Sequence, residues 1–532
     1  MKDFRLLVNG EDLDTGIYEY YPYVDKVIMD SSETRRIIRE LRAGRELSGW
    51  QDHIYARYCI GAEDTNKRAI EAAHEASQMF RGFSLSRRKK IMGELRRLLL
   101  VHKQELIQLM VIEGHPQRLA EWEFLGMEQA YQSETISFYR SQLLQNVGQA
   151  NGESFYLARK PDGVLCVSPP KNAACSNSLL AAFALLGGNA IVVKPPLHAP
   201  LSTIFLWRYV VFEAARSQGA PPGTVNIVLG NSKLITDEWL ESPLVNDFLY
   251  FGDSDQGLEI GLRTFQAGKK PLLELSGNDM LIVWKDADLK GAVSSLLDGF
   301  LGSTQICMLP KKGIIHTDIY DQFEKRFVEA AQALKIGLPS DPATCLSPVG
   351  KIKEFRAALS DALEKGATLL CGGEQVNHKG QSDKNGVFIT PAVVRIENLE
   401  QALTMQCVKE ENFFPLIPLI RISAPTTNTE RLKDGSIFKQ MVKLVNSNAY
   451  GLRVSVWVRS EPVMYRFAKQ IETGGLLRIN TRHIGFSPFL SSHGGTGKTG
   501  GPYGEMNYVW QKTTHLQGIT VRNLARSTKL YA

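Results

Sequence analysis

From about residue 160 onward, short apolar runs alternate with segments of helical spacing, and this alternation restricts the fold more than any other feature. The runs are GVLCVSP, NAIVVKPP, TVNIVLG, VNDFLYFG and KPLLELSG. Strands that are apolar on both faces and are joined by helices predict a parallel sheet covered on both sides. Such a sheet binds its ligands at the carboxyl ends of its strands.

A second α/β series begins near residue 278. It contains the strand-like runs KKGIIHT, ATLLCGG, GVFITPAVV, LIPLIRI and VSVWVRS, with helical segments between them. Residues 64–145 have helical spacing, with Asp64 or Thr65 as the expected N-cap. At about 150 residues per domain, a chain of 532 residues has room for two to four domains.

Composition and charge exclude several classes of protein. A net charge of +6 that is dispersed along the chain predicts neither nucleic-acid nor membrane binding. The N-terminal stretch lacks the apolar core of a signal peptide. The seven cysteines are scattered without a C-x-x-C pair, which argues against disulfides and a metal site and predicts a reducing cytoplasm.

The segment HGGTGKTGGPYGEM, residues 493–506, contains G-x-G-x-x-G but lacks the context of a nucleotide loop. Gly501 and Pro502 follow it and cannot propagate a helix, and Glu505 is the sole acid after it. A Walker A loop would need glycine at Ser492. We therefore expect a glycine-rich turn near a binding mouth.

Cys307 is the main candidate for a chemical role. It follows a Gly/Ser/Thr/Gln run, in which the backbone can approach a ligand closely. Glu274 ends a predicted strand 33 residues earlier, and Glu410-Glu411 directly precedes an apolar run. A lone cysteine in apolar sequence is more often a small buried residue, so this assignment depends on the surrounding motifs.

These motifs resemble those of the aldehyde dehydrogenase superfamily from about residue 60 to 520. LLELSGNDMLIVWKDADL is similar to its glutamate motif, STQICMLP to its cysteine motif and KEENFFPLIPLI to its E-E-x-F-G-P motif. NAIVVKPP, NAYGLRVSVW and GGLLRINTR match three further motifs in the expected order. Thr304 and Phe414 stand where the resemblance has glycine.

The resemblance implies an α/β fold of three parts. Residues 1–140 and 162–277 would form a Rossmann-like cofactor-binding domain, and residues 278–482 an α/β catalytic domain. Residues 141–161 and 483–532 would supply a β oligomerisation arm and a substrate-side C-terminal segment, in a homodimer or homotetramer. That segment is similar to the subgroup that includes ketoglutaric semialdehyde and CoA-linked semialdehyde dehydrogenases.

The resemblance also implies a mechanism with three catalytic residues. Cys307 would attack the aldehyde as a thiolate, and Glu274 would activate water to hydrolyse the resulting thioester. The backbone N–H of Cys307 and the side chain of Asn172 would form the oxyanion hole. Selective alkylation of Cys307 would indicate a thiol of depressed pKa.

The cofactor implied is NADP or NAD. The resemblance assigns it to Ser168, Lys194, Gly252, Ser254 and Glu411, with Lys194 at the adenosine ribose and Glu411 at the nicotinamide ribose. Leu197 replaces a glutamate that often selects NAD, so NADP is permitted. Asp253 replaces a serine expected beside the diphosphate, where its charge is unfavourable.

Two alternatives to hydrolytic oxidation stay open. The loop Pro169-Pro170-Lys171-Asn172 resembles that of CoA-acylating aldehyde dehydrogenases, so CoA is a possible partner and either Lys171 or Asn172 could face the oxyanion. The altered motif positions also allow a catalytically lapsed relative with a binding role.

The substrate-facing loops predict a medium-sized, partly apolar aldehyde. Their apolar and aromatic residues are Phe124, Tyr131, Met308, Phe486 and Phe489. A small charged aldehyde would suit these side chains poorly.

Overall fold

The frame of the protein is a pair of seven-stranded sheets, in a computed structural model that describes residues 1–45, 47–424 and 429–522. Both sheets are mostly parallel and are covered by helices. The α/β fold with a Rossmann-like half, predicted from the alternation, is confirmed.

The first sheet contains the five apolar runs named above as its parallel core. In spatial order its strands are Lys270–Glu274, Asp247–Phe251, Val164–Ser168, Ala190–Val193, Val225–Ile227, Leu6–Val8 and Glu11–Leu13. The last two form an antiparallel edge. The three central strands are buried at every residue, which explains their lack of polar alternation.

The second sheet is parallel except for one edge strand. In spatial order its strands are Thr368–Cys371, Ala392–Ile396, Leu416–Ile422, Lys312–His316, Met280–Val283, Arg453–Trp457 and Leu476–Ile479. Thr368–Cys371 is the antiparallel one. The strand Lys270–Glu274 of the first sheet ends at Glu274, and the strand Met280–Val283 of the second sheet begins shortly after it. The short segment between these strands belongs to the glutamate motif and connects the two sheets.

Helices cover the sheets and fill the intervals predicted for them. Those before the second sheet are Val24–Met29, Ser31–Arg42, Thr65–Phe80, Leu85–Val101, Lys103–Ile112, Gln117–Ala130, Ser133–Leu143, Ala174–Leu180, Phe183–Gly187, Leu201–Leu206 running through Trp207–Phe212 into Glu213–Ser217, Ser232–Glu241 and Ser254–Gln266. Those of the second half are Leu289–Leu297, Thr317–Gln332, Ile352–Glu364, Leu399–Ala402, Gln406–Lys409, Glu430–Asn446, Glu461–Gln470 and Val509–Lys512. Among the described residues, no helix combines the length and apolar character that crossing a bilayer requires.

A three-stranded antiparallel sheet lies in the ranges predicted for an oligomerisation arm. Its strands are Leu144–Ala150, Glu153–Pro161 and Thr514–Arg522. The last pairs with Glu153–Pro161 along its full length. Residues 523–532, which the prediction includes, lie outside the described residues. The domain boundaries stay a prediction.

Two local expectations differ from the structure. The opening run FRLLV, whose apolar residues predict one short strand over Phe4–Val8, contributes to two strands. Lys2–Phe4 pairs with Ile54–Cys59 in a small separate sheet that also holds Tyr18–Pro22, whereas Leu6–Val8 joins the first large sheet. The apolar run NSLLAAFALLGG predicts a single short helix over 177–188, but this helix is interrupted, because the amides of Ala181 and Ala182 bond to carbonyls three residues back.

Candidate active site

The loop that carries Cys307 has an unusual backbone. Gly302, Ser303 and Thr304 follow one another at φ of 58°, 57° and 65°, in the left-handed region. A β-branched residue there costs about 1–3 kcal/mol. This conformation explains why the resemblance has glycine at Thr304, and it indicates that surrounding contacts hold the loop.

Lys311 provides those contacts, although no sequence motif indicates a role for it. Its side chain is fully buried. Its Nζ donates to the carbonyl oxygens of Thr304, at 2.8 Å, and Ile306, at 2.7 Å. It also lies 3.7 Å from Oε1 of Glu411. A buried ammonium therefore fastens the backbone just before Cys307 and faces a candidate cofactor residue.

Asn172 lies against the same loop. Its Nδ2 donates to the carbonyl oxygen of Gln305 at 2.9 Å, and the residue is half-buried. Lys171 is exposed to solvent. Of the two residues that competed for the oxyanion position, Asn172 is therefore the one in contact with the cysteine loop.

Glu274 ends the first sheet and is held by the C-terminal segment. Its Oε1 accepts from Nδ2 of Asn507 at 2.6 Å, and its Oε2 accepts from the Gly494 backbone N–H at 3.0 Å. Burial raises the pKa of this carboxyl to about 7, although both hydrogen bonds and Lys512 oppose the shift. A carboxyl of this pKa changes protonation near neutral pH, which suits a general base.

Burial also dominates the ionisation of Cys307. It raises the pKa of the half-buried thiol to about 12, with Glu411 and Glu274 adding to the effect and Lys311 opposing it. This is the reverse of the depressed pKa expected for a thiol that alkylates readily. The thiol therefore needs a proton acceptor, and Glu274 is a carboxylate whose charge acts on it.

Glu411 faces the backbone beside the cysteine. Its Oε1 accepts from the Gly277 N–H at 3.2 Å, and burial raises its pKa. A Cβ on Gly277 would lie 2.4 Å from the carbonyl oxygen of Cys307. Glycine is required at this point of the glutamate motif because two backbones meet there.

The remaining predicted cofactor residues lie at the carboxyl ends of parallel strands in the first sheet. Ser168 ends one strand, Lys194 follows the next, and Gly252 follows a third. Nζ of Lys194 donates to Oγ of Ser232 at 3.0 Å, and burial lowers the pKa of this lysine to about 8. This edge fits a nucleotide, because it combines a buried ammonium with a glycine-bearing turn.

The turn after Gly252 has a different polar arrangement from the expected one. Oγ of Ser254 donates to the carbonyl oxygen of Lys498 at 2.7 Å. Asp253 is exposed and caps the following helix by accepting from the Gln256 N–H. The acid that replaces serine therefore has a structural role as a helix cap.

The glycine-rich segment packs between backbones and opens no helix. Thr496–Gly497 pairs with Tyr450–Gly451 as a short antiparallel ladder. A Cβ on Gly495 would lie 2.3 Å from the Gly451 carbonyl oxygen, and one on Gly500 would lie 2.1 Å from that of Gly495. The prediction of a turn near the site is confirmed, since Gly494 bonds to Glu274.

A narrow pocket opens beside the cysteine loop, since Ile306 and Met308, the residues on either side of Cys307, both line it. Tyr131 and Phe486 line it as expected. Phe124 does not line it and is buried in the core, and Phe489 is half exposed and packs edge-on against Phe138.

The aromatic wall of the pocket depends on a helix glycine. A Cβ on Gly126 would lie 2.2 Å from the ring of Phe486, so only glycine lets this ring close on the helix Gln117–Ala130. Trp122 of the same helix packs on Phe486 with ring centroids 5.8 Å apart. The sequence contains no local signal for this contact.

Comparisons with known proteins agree on one family. The model of the aldehyde dehydrogenase family matches residues 46–519. Mitochondrial succinate-semialdehyde dehydrogenase of Arabidopsis thaliana is 29% identical over 85% of this chain and 81% of its own length. D-glyceraldehyde dehydrogenase (NADP(+)) of Thermoplasma acidophilum is 27% identical over 80% of this chain and 82% of its own.

The fold agrees with solved structures at lower identity. The crystal structure of an NAD-dependent aldehyde dehydrogenase from Sinorhizobium meliloti superposes with a TM-score of 0.80 at 21% identity, covering 100% of this chain and 97% of that one. Since the family model spans most of the chain, the protein belongs to the aldehyde dehydrogenase family.

Proposed function

We propose that the protein oxidises an aldehyde to a carboxylic acid with NADP or NAD, through a thiohemiacetal and a thioester on Cys307. The observation that carries this proposal is the environment of Glu274. A fully enclosed carboxyl with a pKa near 7, whose charge acts on Cys307, is suited to accepting a proton from the thiol and later from water.

The chemistry of the first half-reaction follows from the loop contacts. Sγ of Cys307 bonds to the aldehyde carbon as Glu274 accepts the thiol proton. The developing oxyanion is stabilised by the Cys307 backbone N–H and by one N–H of the Asn172 side-chain amide. The other N–H of that amide donates to the carbonyl oxygen of Gln305. A nicotinamide dinucleotide, when bound, supplies the hydride acceptor.

Before the second half-reaction, Glu274 passes the thiol proton to solvent. It then accepts a proton from water as the hydroxide oxygen bonds to the thioester carbon, and the C–S bond breaks with the sulfur leaving as the Cys307 thiolate. The thiolate regains a proton from Glu274, and the acid product releases its own proton to solvent. The contacts of this carboxylate with Asn507 and Gly494 keep it in one place. Lys194, Ser168, Gly252, Ser254 and Glu411 would hold the dinucleotide. The name of the Thermoplasma acidophilum relative specifies NADP(+), the Sinorhizobium meliloti structure is of an NAD-dependent enzyme, and Leu197 permits either cofactor.

A CoA-acylating reaction is the second candidate, because Asn172 rather than Lys171 meets the cysteine loop, as expected for that type of loop. The similarity of the C-terminal segment to ketoglutaric semialdehyde and CoA-linked semialdehyde dehydrogenases also concerns whether CoA takes part in the reaction. The arm sheet supports a homodimer or homotetramer. The unpaired state of all seven cysteines supports the cytoplasmic location inferred from their number and spacing.

The test is reduction of NADP and NAD, followed by absorbance, with an aldehyde panel in the presence and absence of CoA. Turnover without CoA that is lost in Cys307→Ala would support the proposal. In Glu274→Gln, we expect loss of steady-state turnover. Turnover only with CoA would favour the acylating reaction, and inertness in both conditions would favour a lapsed enzyme.

A further inference from the structure

The pocket beside Cys307 is apolar along most of its wall but has a polar end. Trp122, Met127, Tyr131 and Phe486 supply apolar wall, whereas the polar end is formed by Glu123, Ser176, Asn177, Ser492 and His493. The polar residues come from two separate parts of the chain, the helix segments near 123 and 176 and the C-terminal segment. Their hydrogen bonds decide which chemical group can bind there.

The two ionisable residues at the polar end present no positive charge. Oε2 of Glu123 accepts from Oγ of Ser176 at 2.6 Å, and Oε1 lies 2.8 Å from Nδ1 of His115, away from the pocket wall. Burial lowers the pKa of His493 to about 3, so its imidazole is neutral at physiological pH. Among the described residues that line the pocket, there is no lysine or arginine.

One contact of His493 determines which of its ring nitrogens carries the hydrogen and, from that, which groups at the polar end donate and accept. Nε2 of His493 lies 3.1 Å from Oδ1 of Asn177, an oxygen that can only accept, so Nε2 carries the hydrogen. Nδ1 of His493 then accepts from Oγ of Ser492 at 2.8 Å. Asn177 is left with an Nδ2 group that has no hydrogen-bond partner among the described residues, while the hydroxyl oxygens of Ser176 and Ser492 keep free lone pairs.

We propose that Ser176, Asn177 and Ser492 form a subsite for an uncharged hydroxyl group of an aromatic or medium-sized aliphatic aldehyde. A hydroxyl both accepts, from Nδ2 of Asn177, and donates, to a serine oxygen. This inference rests on the proposed function, since it assigns the substrate class of the same site.

The same geometry disfavours a carboxylate-bearing semialdehyde. A carboxylate would lose its hydration in a pocket that no lysine or arginine lines, beside Glu123. The basic groups behind the lining are engaged elsewhere, because the Arg453 guanidinium donates to the carbonyl oxygens of His483 and Ser492 and His115 pairs with Glu123, so the charge would stay unpaired at a cost. The succinate-semialdehyde relative therefore gives the family of this chain, but its substrate differs in charge from the one that this pocket fits.

The test uses ketones, which bind like aldehydes but cannot be oxidised to acids, so the subsite is examined independently of turnover. Dissociation constants of acetophenone, its three hydroxy isomers and 4-carboxyacetophenone would be measured by ligand-observed NMR on the full-length protein. We expect one hydroxy isomer to bind about fivefold more tightly than acetophenone, the gain of about one net hydrogen bond. We expect the carboxy compound to bind more weakly than acetophenone.

Asn177→Asp is the matched variant, because the carboxylate keeps an acceptor for His493 while it removes the Nδ2 donor. The preference for the hydroxy isomer should disappear in this variant, and Ser492→Ala should weaken it. Asn398→Asp is the control, since Asn398 is an exposed helix N-cap at which aspartate serves equally well. Equal binding of all hydroxy isomers and acetophenone, or tighter binding of the carboxy compound, would overturn the proposal.

The outcomes separate this inference from the proposed function. Hydroxy-selective ketone binding without aldehyde turnover would sustain the subsite and reject the oxidation. Aldehyde turnover without any hydroxyl preference in the ketone series would sustain the oxidation and reject the subsite.

Discussion

Glu274 should make the protein less stable as the pH rises, and Glu274→Gln should remove that dependence. The carboxyl has a pKa of 4.5 in the unfolded chain and about 7 in the folded protein. Between these values the folded state binds more protons, so the free energy of unfolding falls as pH increases and levels off above about pH 7. The contribution is fully present only below pH 4.5.

The size of the effect follows from the two pKa values. A tenfold change in an ionisation constant is worth about 1.4 kcal/mol. For a pKa of about 7 in the folded state, the wild-type protein should lose about 2.5 kcal/mol relative to Glu274→Gln between about pH 5 and pH 8.5. Any pH-independent change, such as a hydrogen bond altered by the amide, cancels in this comparison.

The assay is urea unfolding of both proteins at a series of pH values, followed by tryptophan fluorescence at one protein concentration. Glu113 also has a pKa raised by burial to about 7, but it is present in both proteins and cancels. Glu94→Gln is the control, because hydrogen bonding to Arg97 lowers the pKa of Glu94, and no loss at high pH is expected there. A stability difference between wild type and Glu274→Gln that stays flat from pH 5 to 8.5 would refute the reasoning.

Three further predictions concern the loop, the pocket and the cofactor edge. Lys311→Met should slow alkylation of Cys307 at pH 8 by about tenfold, because a nearby positive charge lowers a thiol pKa. Lys311→Arg should retain part of the rate, and equal rates in wild type and both variants would contradict this role of Lys311. Gly126→Val should displace Phe486, destabilise the fold by about 1–3 kcal/mol and raise the KM for aldehydes. Gly93→Ala is the control, because it has open space at its Cβ and should stabilise the protein. Denaturation measures the stability of each variant and steady-state kinetics its KM, and an unchanged KM in Gly126→Val would argue against the aromatic wall. Lys194→Met should weaken dinucleotide binding by about tenfold or more, because it removes one charge-assisted hydrogen bond. Quenching of tryptophan fluorescence measures the affinity, and an unchanged affinity would show that Lys194 does not belong to the cofactor site.

The local chemistry of the sequence was sufficient for the frame of the molecule. Strands that are buried on both faces are apolar throughout, so the five runs of the first sheet could be recognised without any contact information. The glutamate and cysteine motifs were identified by resemblance to a known family, and the structure shows why Gly277 of the glutamate motif is required, because two backbones meet there. Such requirements act on single residues and are therefore visible in the chain itself.

The candidate site depended on tertiary structure wherever distant segments meet. Asn507 and Gly494 hold Glu274 from more than 200 residues away. Gly494 belongs to the glycine-rich segment, but nothing in the sequence indicates that either residue contacts Glu274. Burial, rather than residue type, raises the pKa of Cys307 and of Glu274. The preference for Asn172 over Lys171 likewise rests on which side chain reaches the Gln305 carbonyl, because hydrogen-bond partners and desolvation are properties of the folded neighbourhood and not of the sequence around each residue.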